Sequence, residues 1–237
     1  MTLTIAKREL QSLFFSPIAY VVLGGFAIGS SVFFLPGFQS GRPATMRGTL
    51  DMVVWLLIFL APAISMRLIS EELRSGTYER LMTSPVGDMQ VVLGKWLGAL
   101  GFFCILLSPL LVHILVLEWF AEPELGPILT GLLGLVLVGA LYLAIGVFAS
   151  AWTQNQIIAF LLTVFIIAVP TFAAFFLAEQ SMLDPSTRHL IAYISVNAQY
   201  QDFAKGLIDI RNFVYFLSGT ALFLFLAVKL VESRRWR

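Results

Sequence analysis

An all-α, polytopic membrane protein is the fold class this sequence predicts, and three observations lead to it. Of 237 residues, 59% are hydrophobic and only 12% are charged, with a mean hydropathy of +0.89, a mixture far from that of a soluble domain. The apolar residues gather into six runs, at 18–35, 50–67, 93–117, 126–150, 157–178 and 213–230, each near the roughly 20 residues that cross a bilayer. No internal repeat, low-complexity segment or composition shift separates them, so one membrane domain fills residues 1–237.

The elements follow in order. In residues 1–16, Leu3, Ala6, Leu10, Leu13 and Phe14 share one helical face while Thr4, Arg8, Gln11 and Ser12 fall elsewhere. That pattern predicts a helix lying in the membrane interface, or else a plain extension of the first span with Lys7 and Arg8 reaching back to water. The apolar run from 10 to 35 is too long for the roughly 7–15 residues of a signal peptide, so it reads as a retained first span. The second run is the least clear: it is free of charge only between Asp51 and Arg67, which sit at its two interfaces, and it contains Pro62. The third contains Pro109 and His113, the latter read as a helix-packing residue rather than a proton relay. The fourth and fifth come from one charge-free stretch cut by Thr153-Gln154-Asn155-Gln156, since four polar side chains are costly at mid-membrane depth. Pro62 and Pro170 predict kinks, and the Gly25/Gly29 and Gly94/Gly98 pairs allow close helix approach. Residues 179–211 form a long external loop expected to hold short amphipathic helices dipping toward the outer leaflet.

Six spans place both termini on one side. Lys7, Arg8, Arg67, Arg74, Arg80, Lys95 and the basic tail fall there, against Arg42, Arg47, Arg188, Lys205 and Arg211 on the other. The excess of basic residues makes the termini cytoplasmic and the protein a multi-pass component of the cell inner membrane.

Several function classes are excluded or weakened. A net charge of +1 offers no basic surface for nucleic acid. The single Cys104 forms no intramolecular disulfide, and His113 and His189 are too few donors for a metal centre. A phosphate-binding P-loop fails because Met89 stands where the first glycine before Gly94-Lys95 belongs. The zinc-protease pattern is absent around His113, and Gly76 replaces the arginine that an intramembrane glutamate protease would carry after Glu71-Glu72. No catalytic acid, base or nucleophile set is assembled, so the chain is read as a non-catalytic subunit. An ATP-independent secondary transporter or channel stays as the alternative, weakened because every charge can be placed at an interface.

Residues 68–92 form the longest polar platform on the terminal side. The second helix is expected to continue through Glu71, Glu72 and Leu73 and to stop at Gly76. A short helix then runs from residue 77 to about 83, ended by Pro85. Leu73, Thr77 and Leu81 make its apolar stripe, leaving Glu72, Glu79 and Arg80 to face away. Such a helix either docks in a groove of a soluble protein or simply caps the bundle.

Here the residues carry a resemblance. Arg67-x-x-x-Glu71-Glu72-x-x-x-Gly76-Thr77-x-Glu79-x-Leu81-x-x-x-Pro85, followed by Val91-Val92-Leu93-Gly94-Lys95, resembles the first cytoplasmic loop of the ABC-2 type permeases, the membrane subunits of ATP-driven exporters. Phe203-Ala204-Lys205-Gly206-Leu207-Ile208-Asp209, then Tyr215-Phe216-Leu217-Ser218 and the tail Ser233-Arg234-Arg235-Trp236-Arg237, resemble the gliding-motility-type branch. The resemblance implies two permease copies or paralogues in the membrane, and an ATP-binding-cassette ATPase that carries ATP and Mg on a separate chain. It also implies a further subunit with a large periplasmic part. Carried onto this sequence, the coupling contact with the ATPase falls on Glu71, Glu72, Arg74, Gly76, Thr77, Glu79, Arg80 and Leu81, with Pro62 and Gly76 as the points of bending.

Overall fold

The computed structural model describes residues 1–37, 45–77, 87–121, 123–178, 184 and 193–234. Its regular elements are all helical: α1 (Thr2–Phe14), α2 (Pro17–Phe34) with a 3-10 turn Leu35–Gly37, α3 (Arg47–Ser65), α4 (Ser70–Ser75), α5 (Asp88–Leu106), α6 (Ser108–Phe120), α7 (Leu125–Trp152), α8 (Gln156–Ala178), α9 (Val196–Ala204) and α10 (Ile210–Arg234). Six stretches among the described residues are long and apolar enough to span: Pro17–Gly37, Arg47–Ser75, Asp88–Phe120, Leu125–Trp152, Gln156–Leu177 and Ile210–Arg234. The protein is therefore an all-α, multi-pass membrane protein, as its composition predicts.

Two spans are built from two helices each. In the third, α5 ends at Leu106 and α6 restarts at Ser108, with Pro109 in its first turn. Proline has no N–H to continue the ladder, so the interruption falls just before it. Pro62 and Pro170, by contrast, lie inside unbroken helices. In the second span α3 passes through Pro62, ends at Ser65, and a four-residue turn, 66–69, precedes α4. The expected continuous extension from α3 into the polar platform is thus interrupted.

α7 is the centre of the bundle. Of its apolar window 72% is buried, against 28% for the first span, and at about 1.5 Å per residue its 28 residues run about 42 Å. Glycines let its neighbours in. Phe103 of α5 lies against Gly139, Ser65 of α3 against Gly146, and a Cβ on Gly134 would come within 2.8 Å of the Phe203 Cβ of α9. Trp96 Nε1 donates to the Ala140 carbonyl at 3.0 Å. Close backbone approach of this kind is how helices gain packing where lipid supplies no hydrophobic drive between them.

At the end opposite the termini, α9 caps α7. Val196, Tyr200, Phe203 and Ala204 are buried; Thr130 Oγ1 donates to the Phe203 carbonyl at 2.7 Å and Tyr200 Oη to the Gly131 carbonyl at 3.3 Å. Burial, with the Asp51 carboxylate adding to it, pushes the Tyr200 hydroxyl up, so it stays a neutral donor. Gln201 Nε2 reaches Asp51 at 3.1 Å on α3, and Asn212 Nδ2 of α10 reaches Asp202 at 2.8 Å. A helix does exist within the long loop; of the remainder, residues 179–183 and 185–192 lie outside the described ones.

His113 joins α6 to α2. Its Nε2 lies 3.1 Å from Ser31 Oγ and its ring stacks on Phe34 with centroids 4.7 Å apart, the packing role expected of it.

Candidate functional site

The polar end of the bundle is organised around Lys95. Gly94 and Gly98 sit one turn apart on α5, and a Cβ at either would meet α1: Ile5 Cβ at 2.8 Å from the first, Glu9 Cβ at 2.7 Å and the Ala6 carbonyl oxygen at 2.8 Å from the second. α1 consequently lies tight on α5, with Ile5, Ala6 and Glu9 turned inward and Leu3 78% exposed. Of the expected apolar face, Ala6, Leu10, Leu13 and Phe14 do turn inward while Thr4, Arg8, Gln11 and Ser12 are exposed; only Leu3 departs, because at this end the glycine groove of α5 takes Ile5 and Glu9 instead.

That approach places Glu9 on Lys95 at 3.2 Å. α4 brings Glu72 to the same ammonium at 2.8 Å. The lysine is 2% exposed, so its charge is held only because two carboxylates reach it, a buried cation otherwise being very costly. Glu72, off the stripe of Leu73, Thr77 and Leu81 and expected to face away, instead turns in to Lys95. Lys95 is enclosed by protein, and an acidic residue from each of two neighbouring helices, Glu9 and Glu72, turns in to meet it. The second Glu72 oxygen, Oε2, is buried with no hydrogen-bond partner among the described residues.

The other sequence-derived positions divide clearly. Glu71, Arg74, Gly76 and Thr77 are exposed. α4 ends at Ser75 and Gly76 follows with φ of 69°, the left-handed conformation that favours glycine just past a helix. Thr77 Oγ1 lies 2.8 Å from Ser75 Oγ. Glu79, Arg80 and Leu81, with the rest of the helix expected at 77–83, lie outside the described residues. Pro62 is buried within α3, and the break nearest to it is the turn at 66–69.

Arg74 borders an open concavity of about 860 Å³ that is completed by Trp152, the polar turn Thr153-Gln154-Asn155, Gln156, Ile157 and Arg234. Arg234 Nη2 donates to the Trp152 carbonyl at 2.8 Å, which ties the end of α10 to the α7–α8 turn. Asn155 Oδ1 accepts from the Ile157 N–H at 2.9 Å and caps α8.

One residue was not suggested by any sequence pattern. Ser150, fully buried near the end of α7, accepts from the Ile69 N–H at 3.0 Å and the Ser70 N–H at 2.9 Å, and donates to the Met66 carbonyl at 3.0 Å. Among the described residues no group of three or more His, Cys, Asp or Glu side chains is arranged to hold a metal.

Against this geometry, no curated protein matches the chain. The model of the family described as ABC-2 family transporter protein, however, matches residues 5–233, nearly the whole chain and both halves of the polar end. Six spans, a charged platform after the second of them, and that match agree: the chain belongs to the ABC-2 transporter family and is a membrane-spanning permease subunit of an ABC transporter.

Proposed function

We propose that this permease couples ATP hydrolysis on a separate ATP-binding-cassette subunit to export of a substrate, or to force transmission, across the cell inner membrane. ATP and Mg belong on the partner, and both termini of this chain face the cytoplasm. The permease works as a pair with a second copy or a paralogue. The tail and α9 motifs favour the gliding-motility-type branch, in which a subunit with a large periplasmic part completes the complex.

The observation that carries the reading is the exposed edge of α4. Glu71, Arg74, Gly76 and Thr77 are exposed on α4 and just beyond it, and Arg74 borders the concavity lined by Gln154, Asn155 and Arg234. A soluble partner seated there touches two inter-span connections and the end of α10 at once. Mixed charge on such a rim steers association and fixes register more than it adds affinity.

The test is capture of the chain in mild detergent, with mass spectrometry and an ATPase assay on the eluate. A stoichiometric ATPase is expected, and Glu71→Arg with Arg74→Glu should release it. Persistence of the complex in that double variant would refute the docking surface. Transport driven by an ion gradient in liposomes holding this chain alone would refute the coupling itself.

A further inference from the structure

We propose that Ser150 is the positioning residue of the transmission path. Its hydroxyl, supplied by α7, sets the angle at which α4 leaves α3, and residues 66–69 are the hinge. The proposal rests on the coupling reading, because only then does the angle of α4 matter.

The first N–H groups and last carbonyls of any helix lack partners within it. At the α3–α4 break both kinds occur within four residues. α3 ends on Met66 as its C-cap, and α4 begins on Ile69, whose side chain has no atom with which to cap it. Ser150 Oγ accepts from the amides of Ile69 and Ser70 and donates to the Met66 carbonyl. A hydroxyl has one proton and two lone pairs, so its capacity is fully used. Two of its bonds hold the start of α4 and the third holds the end of α3. One side chain from a third helix thus bridges the break.

The neighbouring serines differ. Ser65 Oγ donates to the Ala61 carbonyl at 2.8 Å, inside its own helix, and Ser70 Oγ, on α4 itself, donates across the break to the Met66 carbonyl that Ser150 also engages. Neither ties the break to a third helix, as Ser150 does. Gly146, one turn before Ser150, admits Ser65 against α7 and keeps the break within reach of the hydroxyl. Beyond the hinge the next anchor of α4 is the Glu72–Lys95 ion pair. α4 is therefore held against α7 at its start and α5 near its middle, and its outer edge is left to the partner.

The experiment uses the full chain in nanodiscs, in a Cys104→Ala background, with spin labels at Ser75 and at Gln90 of α5, both exposed and neither lining the concavity beside Arg74. The unsubstituted junction should give a narrow distance distribution. Ser150→Ala should broaden it, with about a tenfold rise in the displaced population, the shift that 1.4 kcal/mol produces. Ser150→Cys, which keeps the volume but accepts hydrogen bonds weakly, should do the same and carries the test if the alanine variant does not fold. Ser65→Ala should leave the distribution narrow. In the complex, Ser150 variants should retain the ATPase while ATP no longer shifts the distance. A narrow distribution in both Ser150 variants, or equal broadening by Ser65→Ala, overturns the proposal. The nanodisc distances need no ATPase, so a failed coupling reading shows separately, as wild-type chain that captures none.

Discussion

Lys95→Met removes the cation shared by Glu9 and Glu72 and leaves an unbranched apolar stem in its slot. Taking one partner from a fully buried ion pair costs about 3–5 kcal/mol, because the remaining charge is stranded. Here the lysine side chain is 3% exposed but the carboxylates are 16% and 19% exposed. They can turn part-way to water, which lowers the expected loss to about 2–3 kcal/mol. For a chain of this length that corresponds to a fall of about 5–10 °C in melting temperature, read on the isolated chain in detergent. Glu72→Gln should cost about 1 kcal/mol, and the double variant should be no worse than Lys95→Met alone to within about 0.5 kcal/mol. Strict additivity would show that the two side chains do not act together. An unchanged melting temperature for Glu72→Gln, with weakened ATPase capture, would put Glu72 on the partner instead, where the resemblance to the family's coupling loop places it. Either result refutes the shared-lysine account.

Two other outcomes are expected. Gly98→Ala should loosen α1, since the new methyl would lie 2.8 Å from the Ala6 carbonyl oxygen, a backbone atom that cannot swing aside; proteolysis within α1 should rise several-fold while Gly25→Ala, where nothing lies within 4 Å, changes nothing. His113→Phe keeps an aromatic ring against Phe34 and loses only the Ser31 contact, so stability should stay within about 1 kcal/mol of the parent. The pH profile of ATPase activity in the complex should also be unmoved, and a displaced profile would show that the histidine titrates as part of the mechanism.

The spans were legible because lipid imposes a length and a hydropathy that a single sequence displays. The run at 126–150 became Leu125–Trp152 and that at 157–178 became Gln156–Ala178. Gly76 was legible for an equally local reason, the conformation just past a helix end. What escaped depends on distant partners. Ser150 looks like the polar boundary of a span, and its meaning lies in amides about eighty positions away. The burial of Lys95 is invisible in its own segment because no local signal says that Glu9, from another helix, covers it. Gly94 and Gly98 were noticed, but small residues four apart are common and do not name the helix they admit. The interruption before α6 could have been favoured from Pro109, whereas Pro62 and Pro170 show that proline alone does not decide where a packed span divides.

The glycines of α7 set an unusual rule for sequence drift. Leu50, Tyr200, Phe203, Phe103 and Ser65 all press on backbone where Gly131, Gly134, Gly139 and Gly146 carry no side chain, and these belong to three different neighbours. A change from glycine to alanine or leucine at such a position would raise both hydropathy and helix propensity, so the segment would insert into a membrane at least as well as before. It would then be too wide for its neighbours. For this helix, size rather than greasiness is the inherited property, and a substitution table that scores only hydrophobicity would rank its most damaging changes among the mildest.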